Sequence, residues 1–102
     1  MADKILEEIL KRILNKIAAQ KIILFGSRSR GDCKADSDYD LLVICNDDVN
    51  VKKISKEIYS QFVGICNGID VIIRPQKYID ETKSQNNSFI NAILEEGKVV
   101  YG

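Results

Sequence analysis

The stretch LFGSRSRGDCKADSDYDLLVIC, residues 24–45, decides the fold prediction. It places a Gly-Ser pair, Gly26 and Ser27, at the end of one apolar run and an Asp-x-Asp, Asp38 and Asp40, at the head of another. The runs 21–25 and 39–45 are short, apolar and bounded by polar or glycine-containing segments, which is typical of strands. The stretch therefore predicts two strands joined by a short helical turn over 27–31 and a polar loop.

The Asp-x-Asp pair predicts a metal site at the start of the second strand. Residues two apart in a strand project from the same face, so Asp38 and Asp40 point the same way, roughly 7 Å apart along the backbone. Two like charges this close repel, and a bridging cation relieves the repulsion. Mg²⁺ prefers oxygen ligands and is usually held by one or two carboxylates together with substrate phosphates.

The Gly-Ser pair predicts a phosphate site at the end of the first strand. Gly26 lets the backbone approach a ligand closely, and the first amides of the helical turn point outward towards an anion. The Ser27 hydroxyl can donate to the same phosphate oxygens. A guanidinium from Arg28 or Arg30 would face developing negative charge, and of the two we favour Arg30.

A third carboxylate, Asp70, lies near the start of the apolar run IDVIIR, residues 69–74, which Pro75 closes. Thirty residues separate it from Asp40, enough for a helical connection that returns the chain to the sheet. A reaction with two metal ions needs a further ligand to fix the second ion beside the first. Asp70 is the best candidate, and it would also help to deprotonate an attacking hydroxyl.

The remaining segments predict helices around a small sheet. Apolar residues at helical spacing predict a helix over 3–19 with Asp3 as N-cap, a second over 51–63, and a third over 88–96 that ends at Gly97. A loop follows at 46–50, and residues 98–101 predict a short final strand. The fold class is therefore α+β, an α/β sandwich of helices on a small mixed sheet, with one domain over 1–102.

Composition limits the functions that the chain can carry. The 102 residues are 45% hydrophobic and include 15 basic and 15 acidic side chains, so the net charge of zero predicts neither direct nucleic-acid binding nor membrane binding. The sequence has no histidine, which excludes Ser-His-Asp catalysis and His-ligated zinc. Cys33, Cys45 and Cys66 show no CxxC spacing and predict buried free thiols. Without a signal-peptide pattern, we expect a cytoplasmic protein.

These motifs together resemble a known family. The order Gly-Ser, ten residues, Asp-x-Asp, with a later strand-borne aspartate, resembles the nucleotidyltransferase superfamily that includes DNA polymerase beta. The chain is most similar to the minimal nucleotidyltransferase (MNT) domains of the MntA-type antitoxins. Residues 37–43 match the family strand SDxDLxV, SRSRGD is similar to its SRARGD with Ser29 in place of alanine, and EEGKVVY at 95–101 looks like its C-terminal strand.

The resemblance implies a function. Asp38, Asp40 and Asp70 would bind two Mg²⁺ ions and carry the catalysis, while Gly26 and Ser27 would hold the β and γ phosphates of a nucleoside triphosphate. The reaction would transfer AMP from ATP, or another nucleoside monophosphate, to an acceptor hydroxyl and release pyrophosphate. MNT domains of this kind resemble antitoxins that are paired with a HEPN-domain RNase toxin. The resemblance implies that a tyrosine of such a toxin accepts AMP and that the toxin is silenced.

Two alternatives remain open at this point. In the first alternative, the domain is a binding module that neutralises its partner by occlusion, with nucleotide chemistry weak or absent. Less favoured is a nucleotidyltransferase for a small molecule such as an aminoglycoside, because 102 residues leave little structure to hold the drug.

Overall fold

The computed structural model describes residues 3–31, 37–65, 67–85 and 89–102. Within these ranges five helices and four strands follow one another along the chain. In order they are α1 (Lys4–Leu14), β1 (Ala19–Phe25), α2 (Ser27–Arg30), β2 (Tyr39–Cys45), α3 (Val51–Ser60), β3 (Ile69–Pro75), α4 (Gln76–Lys83), α5 (Phe89–Glu96) and β4 (Lys98–Tyr101).

The four strands form one mixed sheet in the order β3-β2-β1-β4. β1 pairs antiparallel with β2 and with β4, whereas β2 and β3 are parallel. A parallel pair cannot be closed by a tight turn and needs a crossover, which α3 supplies. The prediction of a small mixed sheet with packed helices is confirmed.

The sheet is covered on both faces, because side chains alternate along each strand. On one face, here called the α1/α3 face, Tyr39, Leu41 and Val43 of β2 join the core that includes the buried residues of α1 and α3. On the other, the α4/α5 face, Leu42 and Ile44 pack with Ile79, Ile90 and Ile93. β2 is therefore buried on both sides, which explains its continuous apolar run.

Two helices end earlier than the sequence predicts. Asp3 caps α1 as expected, since its Oδ1 accepts from the amides of Ile5 and Leu6, both at 3.0 Å. The helix ends at Leu14 and not at residue 19, because Ala19 already pairs with Cys45 in the sheet. Strand pairing here outweighs the helical preference of alanine. α3 likewise ends at Ser60, and Gly64 follows with a φ of 93°.

The structure also contains a helix that the sequence analysis missed. α4 starts directly after Pro75 and buries only Ile79, so its apolar periodicity is weak. The predicted helix over 88–96 is α5, which begins at Phe89; Ser88 and the loop residues 32–36 lie outside the described residues.

Cys45 is a buried free thiol, as the sequence predicts. Burial raises the pKa of its thiol, and the nearby charges of Asp47 and Asp48 raise it further. Cys33 and Cys66 lie outside the described residues.

Candidate active site

The pairing of β2 with β3 brings two of the predicted acids side by side. Asp40 and Asp70 are Cα partners in this parallel pair. Leu42 and Ile72 lie two residues after Asp40 and Asp70, respectively, and both pack on the α4/α5 face. Because residues two apart in a strand share a face, the side chains of Asp40 and Asp70 also lie on that face. Asp38 lies one residue before β2, where the Tyr39 amide donates to the Gly68 carbonyl oxygen at 2.9 Å. The three carboxylates therefore gather at one end of the sheet.

Asp40 is electrostatically coupled to its neighbours. Partial burial raises the pKa of its carboxyl group, the charges of Asp70 and Asp38 raise it further, and Arg30 opposes the shift. Like charges that share a site disfavour ionisation in this way, and a cation placed among them would reverse the effect. Three of the residues predicted from the sequence thus lie close enough to Asp40 to shift its pKa, namely Asp38, Asp70 and Arg30.

Gly26, from the Gly-Ser pair, packs against Asp40 of the Asp-x-Asp pair. It precedes α2 with φ 75° and ψ −157°, a backbone conformation that other residues rarely adopt. A Cβ atom at this position would overlap the carboxylate of Asp40. Glycine is required here both for the turn and for the close approach of the backbone to Asp40.

Gly68 has a similar role that the sequence analysis did not identify. A Cβ atom there would overlap the Asp38 carboxylate, and its carbonyl oxygen accepts the Tyr39 amide. A glycine just before IDVIIR is the only signal that the sequence carries for this contact. The backbone of the turn before β3 therefore packs directly against Asp38.

Ser27 is the first residue of α2, and Arg30 is the last. The turn is closed by the Gly26 carbonyl oxygen, which accepts from the amides of Ser29 at 3.1 Å and Arg30 at 3.3 Å. Ser27 is partly buried beside Gly26, whereas Arg30 is exposed. Ser27 thus directly follows the glycine that packs against Asp40, and Arg30 is close enough for its charge to lower the Asp40 pKa.

Arg28 bridges α2 and the start of β2. Its Nε and Nη2 donate to the Ser37 carbonyl oxygen at 3.0 and 2.9 Å, and its guanidinium lies 3.9 Å from the centre of the Tyr39 ring. Its Nη1 is 3.9 Å from Asp3 Oδ2, and only 12% of the side chain is exposed. Arg28 is therefore engaged within the protein.

Asp3 completes this network from the start of α1. The Tyr39 hydroxyl donates to Asp3 Oδ2 at 2.8 Å. Burial acts to raise the pKa of Asp3, but hydrogen bonds from the Leu6 amide and Tyr39, together with the Arg28 charge, lower it overall. The helix cap, Tyr39 and Arg28 thus form one connected set of contacts behind the Asp-x-Asp pair.

Tyr59 holds the start of β3 from the α3 side. Its hydroxyl oxygen accepts the Val71 amide at 2.9 Å and lies 3.4 Å from Asp70 Oδ1. The sequence gives no sign of this role, because Tyr59 fits the apolar stripe of α3. Its hydroxyl instead reaches past the sheet edge to the third carboxylate.

The amino-acid sequence matches the family "Polymerase beta, Nucleotidyltransferase" over residues 7–102. This chain belongs to that family. MntA of Aphanizomenon flos-aquae, named a protein adenylyltransferase, is 32% identical to this nucleotidyltransferase over 109 residues, which span 99% of this chain and 73% of that protein. MJ0604 of Methanocaldococcus jannaschii, a candidate protein adenylyltransferase, is 30% identical over 102 residues, with 97% of each chain covered.

A solved structure agrees with the nucleotidyltransferase fold. The crystal structure of a toxin-antitoxin with AMP-PNP superposes with a TM-score of 0.61 at 22% identity, over 94% of this chain and 72% of that one. The family match and the two relatives confirm the predicted family and the expectation of an enzyme, and the superposition confirms the fold. No helix within the described ranges is long and apolar enough to span a bilayer.

The donors present in this nucleotidyltransferase suit magnesium. The candidate ligands are carboxylate oxygens, and burial together with the charges of Asp70 and Asp38 raises the pKa of Asp40, a shift that a bound divalent cation would reverse. Among the residues that the structure describes, no three acidic or cysteine side chains form a ready-made metal site. A Mg²⁺ ion bound by one or two of these carboxylates would complete its shell with water and substrate phosphates.

Proposed function

We propose that this nucleotidyltransferase transfers AMP from ATP to a hydroxyl group of a protein. The observation that carries the proposal is the β2–β3 register, which sets Asp40 beside Asp70 while Gly26 packs against Asp40. A protein acceptor is supported by the names of the two relatives, a protein adenylyltransferase and a candidate protein adenylyltransferase.

The proposed roles follow the order of the strands. Gly26 and Ser27, after β1, bind the β and γ phosphates, and Arg30 faces the charge that develops there. Asp38, Asp40 and Asp70 would hold two Mg²⁺ ions. The bound ions would neutralise the phosphate oxygens and lower the pKa of the attacking hydroxyl.

The reaction is an in-line displacement at the α phosphorus. The acceptor oxygen forms a bond to the α phosphorus, while the bond from this phosphorus to the oxygen bridging to the β phosphate breaks. Pyrophosphate leaves with that oxygen, and the acceptor proton passes to Asp70. Catalysis comes mainly from positioning and charge neutralisation.

We further propose that the acceptor is a HEPN-domain toxin encoded beside this chain. The fold shared with a chain of the toxin-antitoxin complex with AMP-PNP supports a toxin partner and ATP as substrate. A tyrosine of that toxin would receive the AMP, and the modification would silence it.

The direct test is a labelling assay. The protein, [α-³²P]ATP, Mg²⁺ and the folded neighbouring HEPN protein are mixed, and label on the neighbour is measured. We expect transfer by the wild type, none after EDTA treatment, and a loss of at least about 100-fold in Asp38→Asn/Asp40→Asn, because the charge stabilisation provided by bound metal is lost.

A matched control removes two carboxylates elsewhere. Glu95 and Glu96 are exposed at the end of α5, so Glu95→Gln/Glu96→Gln should label the neighbour normally. If the neighbour stays unlabelled while the wild type still neutralises it, and the Asp38/Asp40 variant neutralises it equally well, the domain acts by occlusion and the proposed reaction is wrong.

A further inference from the structure

A cleft of about 290 Å³ lies between the edge strand β3 and the helices of the α4/α5 face. We call it the β3–α4 cleft. It is lined by Ile72 and Arg74 of β3, Tyr78 and Thr82 of α4, Gln85, and Phe89 and Ile90 of α5. The roles described above use none of these residues.

The cleft lies on the same face of the sheet as Asp70. Asp70, Ile72 and Arg74 alternate along β3, so all three belong to the α4/α5 face, and Ile72 follows Asp70 by about 6.6 Å of strand. On the other side of the cleft, the Phe89 ring packs edge-on against Phe25 with centroids 6.0 Å apart. Phe25 is the β1 partner of Asp40, which brings this wall of the cleft to the same end of the sheet.

The order of the strands defines the direction from which an acceptor must come. α2, with the proposed triphosphate site, follows β1. Asp38 directly precedes β2, Asp40 lies in β2, and Asp70 lies in the edge strand β3. In an in-line displacement the attacking oxygen and the leaving group lie on opposite sides of the phosphorus. Pyrophosphate leaves on the β1 side, so the acceptor approaches on the β3 side, where the cleft lies.

The side chains of the cleft are those of a protein-binding surface. Phe89 is 61% exposed and Tyr78 is 42% exposed. The guanidinium of Arg74 lies 5.4 Å from the centre of the Tyr78 ring. Exposed aromatic rings and arginine are enriched where proteins bind one another, and Arg74 favours an acidic partner. The floor of Ile72 and Ile90 adds apolar contact.

We propose that the β3–α4 cleft binds the acidic segment of the acceptor protein that carries the reacting hydroxyl. This inference rests on the proposed function, because it assumes a protein acceptor. It adds the surface that selects the acceptor, on the opposite side of the carboxylates from the triphosphate.

Two measurements on Phe89→Ala and Tyr78→Ala test the inference. The first is the rate of AMP transfer to the neighbouring HEPN protein as a function of its concentration. The second is the Kd for AMP-PNP with Mg²⁺. We expect the acceptor KM to rise roughly tenfold, as for an aromatic anchor at an interface, while the Kd for AMP-PNP stays within about twofold of the wild type.

Val99→Ala is the matched control. Val99 is 50% exposed on β4, at the opposite edge of the sheet, so its truncation should change neither quantity. Thermal unfolding of each variant shows whether the fold is retained, and Arg74→Gln, which removes charge and little volume, serves if Phe89→Ala does not fold.

Three outcomes would overturn the inference. An unchanged acceptor KM in folded variants means that the acceptor binds elsewhere. A Kd for AMP-PNP that weakens in parallel with the KM, or methyl NMR shifts of Ile72 and Ile90 on addition of Mg²⁺ and AMP-PNP, places the nucleoside in the cleft. A wild type that binds AMP-PNP but labels no neighbour refutes the proposed protein acceptor, and the inference falls with it.

Discussion

Replacing Arg28 with alanine removes the side chain that joins α2 to the start of β2. The substitution deletes two hydrogen bonds to the Ser37 carbonyl oxygen and the contact with the Tyr39 ring. Hydrogen bonds from a charged donor contribute about 1.5–3 kcal/mol each, and a cation over an aromatic ring about 0.5–2 kcal/mol. The ion pair with Asp3 spans 3.9 Å and adds little.

Because both hydrogen bonds end on one oxygen, we expect Arg28→Ala to lower the free energy of unfolding by about 2–4 kcal/mol. In a domain of this size that corresponds to a fall in Tm of roughly 10–25 °C. Urea unfolding and calorimetry measure the loss. Arg28→Lys keeps the charge but not the forked geometry, so it should recover only part of the stability.

The same change should weaken the site itself, because Ser37 directly precedes Asp38. Arg12→Ala is the control: Arg12 Nη1 donates to the carbonyl oxygens of Gln61 and Val63, both at 2.8 Å, away from the carboxylates. It should cost similar stability and leave the Kd for AMP-PNP with Mg²⁺ unchanged, whereas Arg28→Ala should raise that Kd several-fold even where the protein is fully folded. Equal Kd values for the two variants would refute a positioning role for Arg28, and a loss below about 0.5 kcal/mol would refute the energetic reasoning.

Two further changes probe the centre of the site. The folded state raises the pKa of Asp40, so the contribution of this group to stability is present below the unfolded pKa and is lost as pH rises through the folded pKa. Asp40→Asn should therefore raise Tm at pH 7 without changing it near pH 3. A lower Tm at pH 7 would contradict this reasoning. Gly26→Ala should abolish AMP-PNP binding and lower Tm, because the backbone φ of 75° is strained for alanine and the added Cβ would overlap the Asp40 carboxylate. Gly31→Ala is the control for strain alone, since its φ is 82° but no atom lies within 4 Å of the added Cβ. Equal losses of binding in both variants would show that the contact with Asp40 is unimportant.

The sequence predicted the strands and the acids from local pattern. A short apolar run bounded by polar residues indicated β2, and two aspartates one residue apart had to share a face of it. The Gly-Ser turn, the N-cap Asp3 and the order of the main elements follow from equally local rules. The helix α4 was not predicted, because a helix with one buried residue, Ile79, shows almost no periodic pattern of apolar residues.

Contacts between distant segments were decided by the tertiary structure. The register that sets Asp40 beside Asp70, the approach of Gly68 to Asp38, and the reach of the Tyr59 hydroxyl to the Val71 amide all join elements from different parts of the chain. Arg28 and Tyr39 form one network with Asp3, which joins three separate segments of the chain. Periodicity determines which face a side chain occupies, whereas its neighbour across the sheet depends on packing of the whole core, which no local pattern encodes.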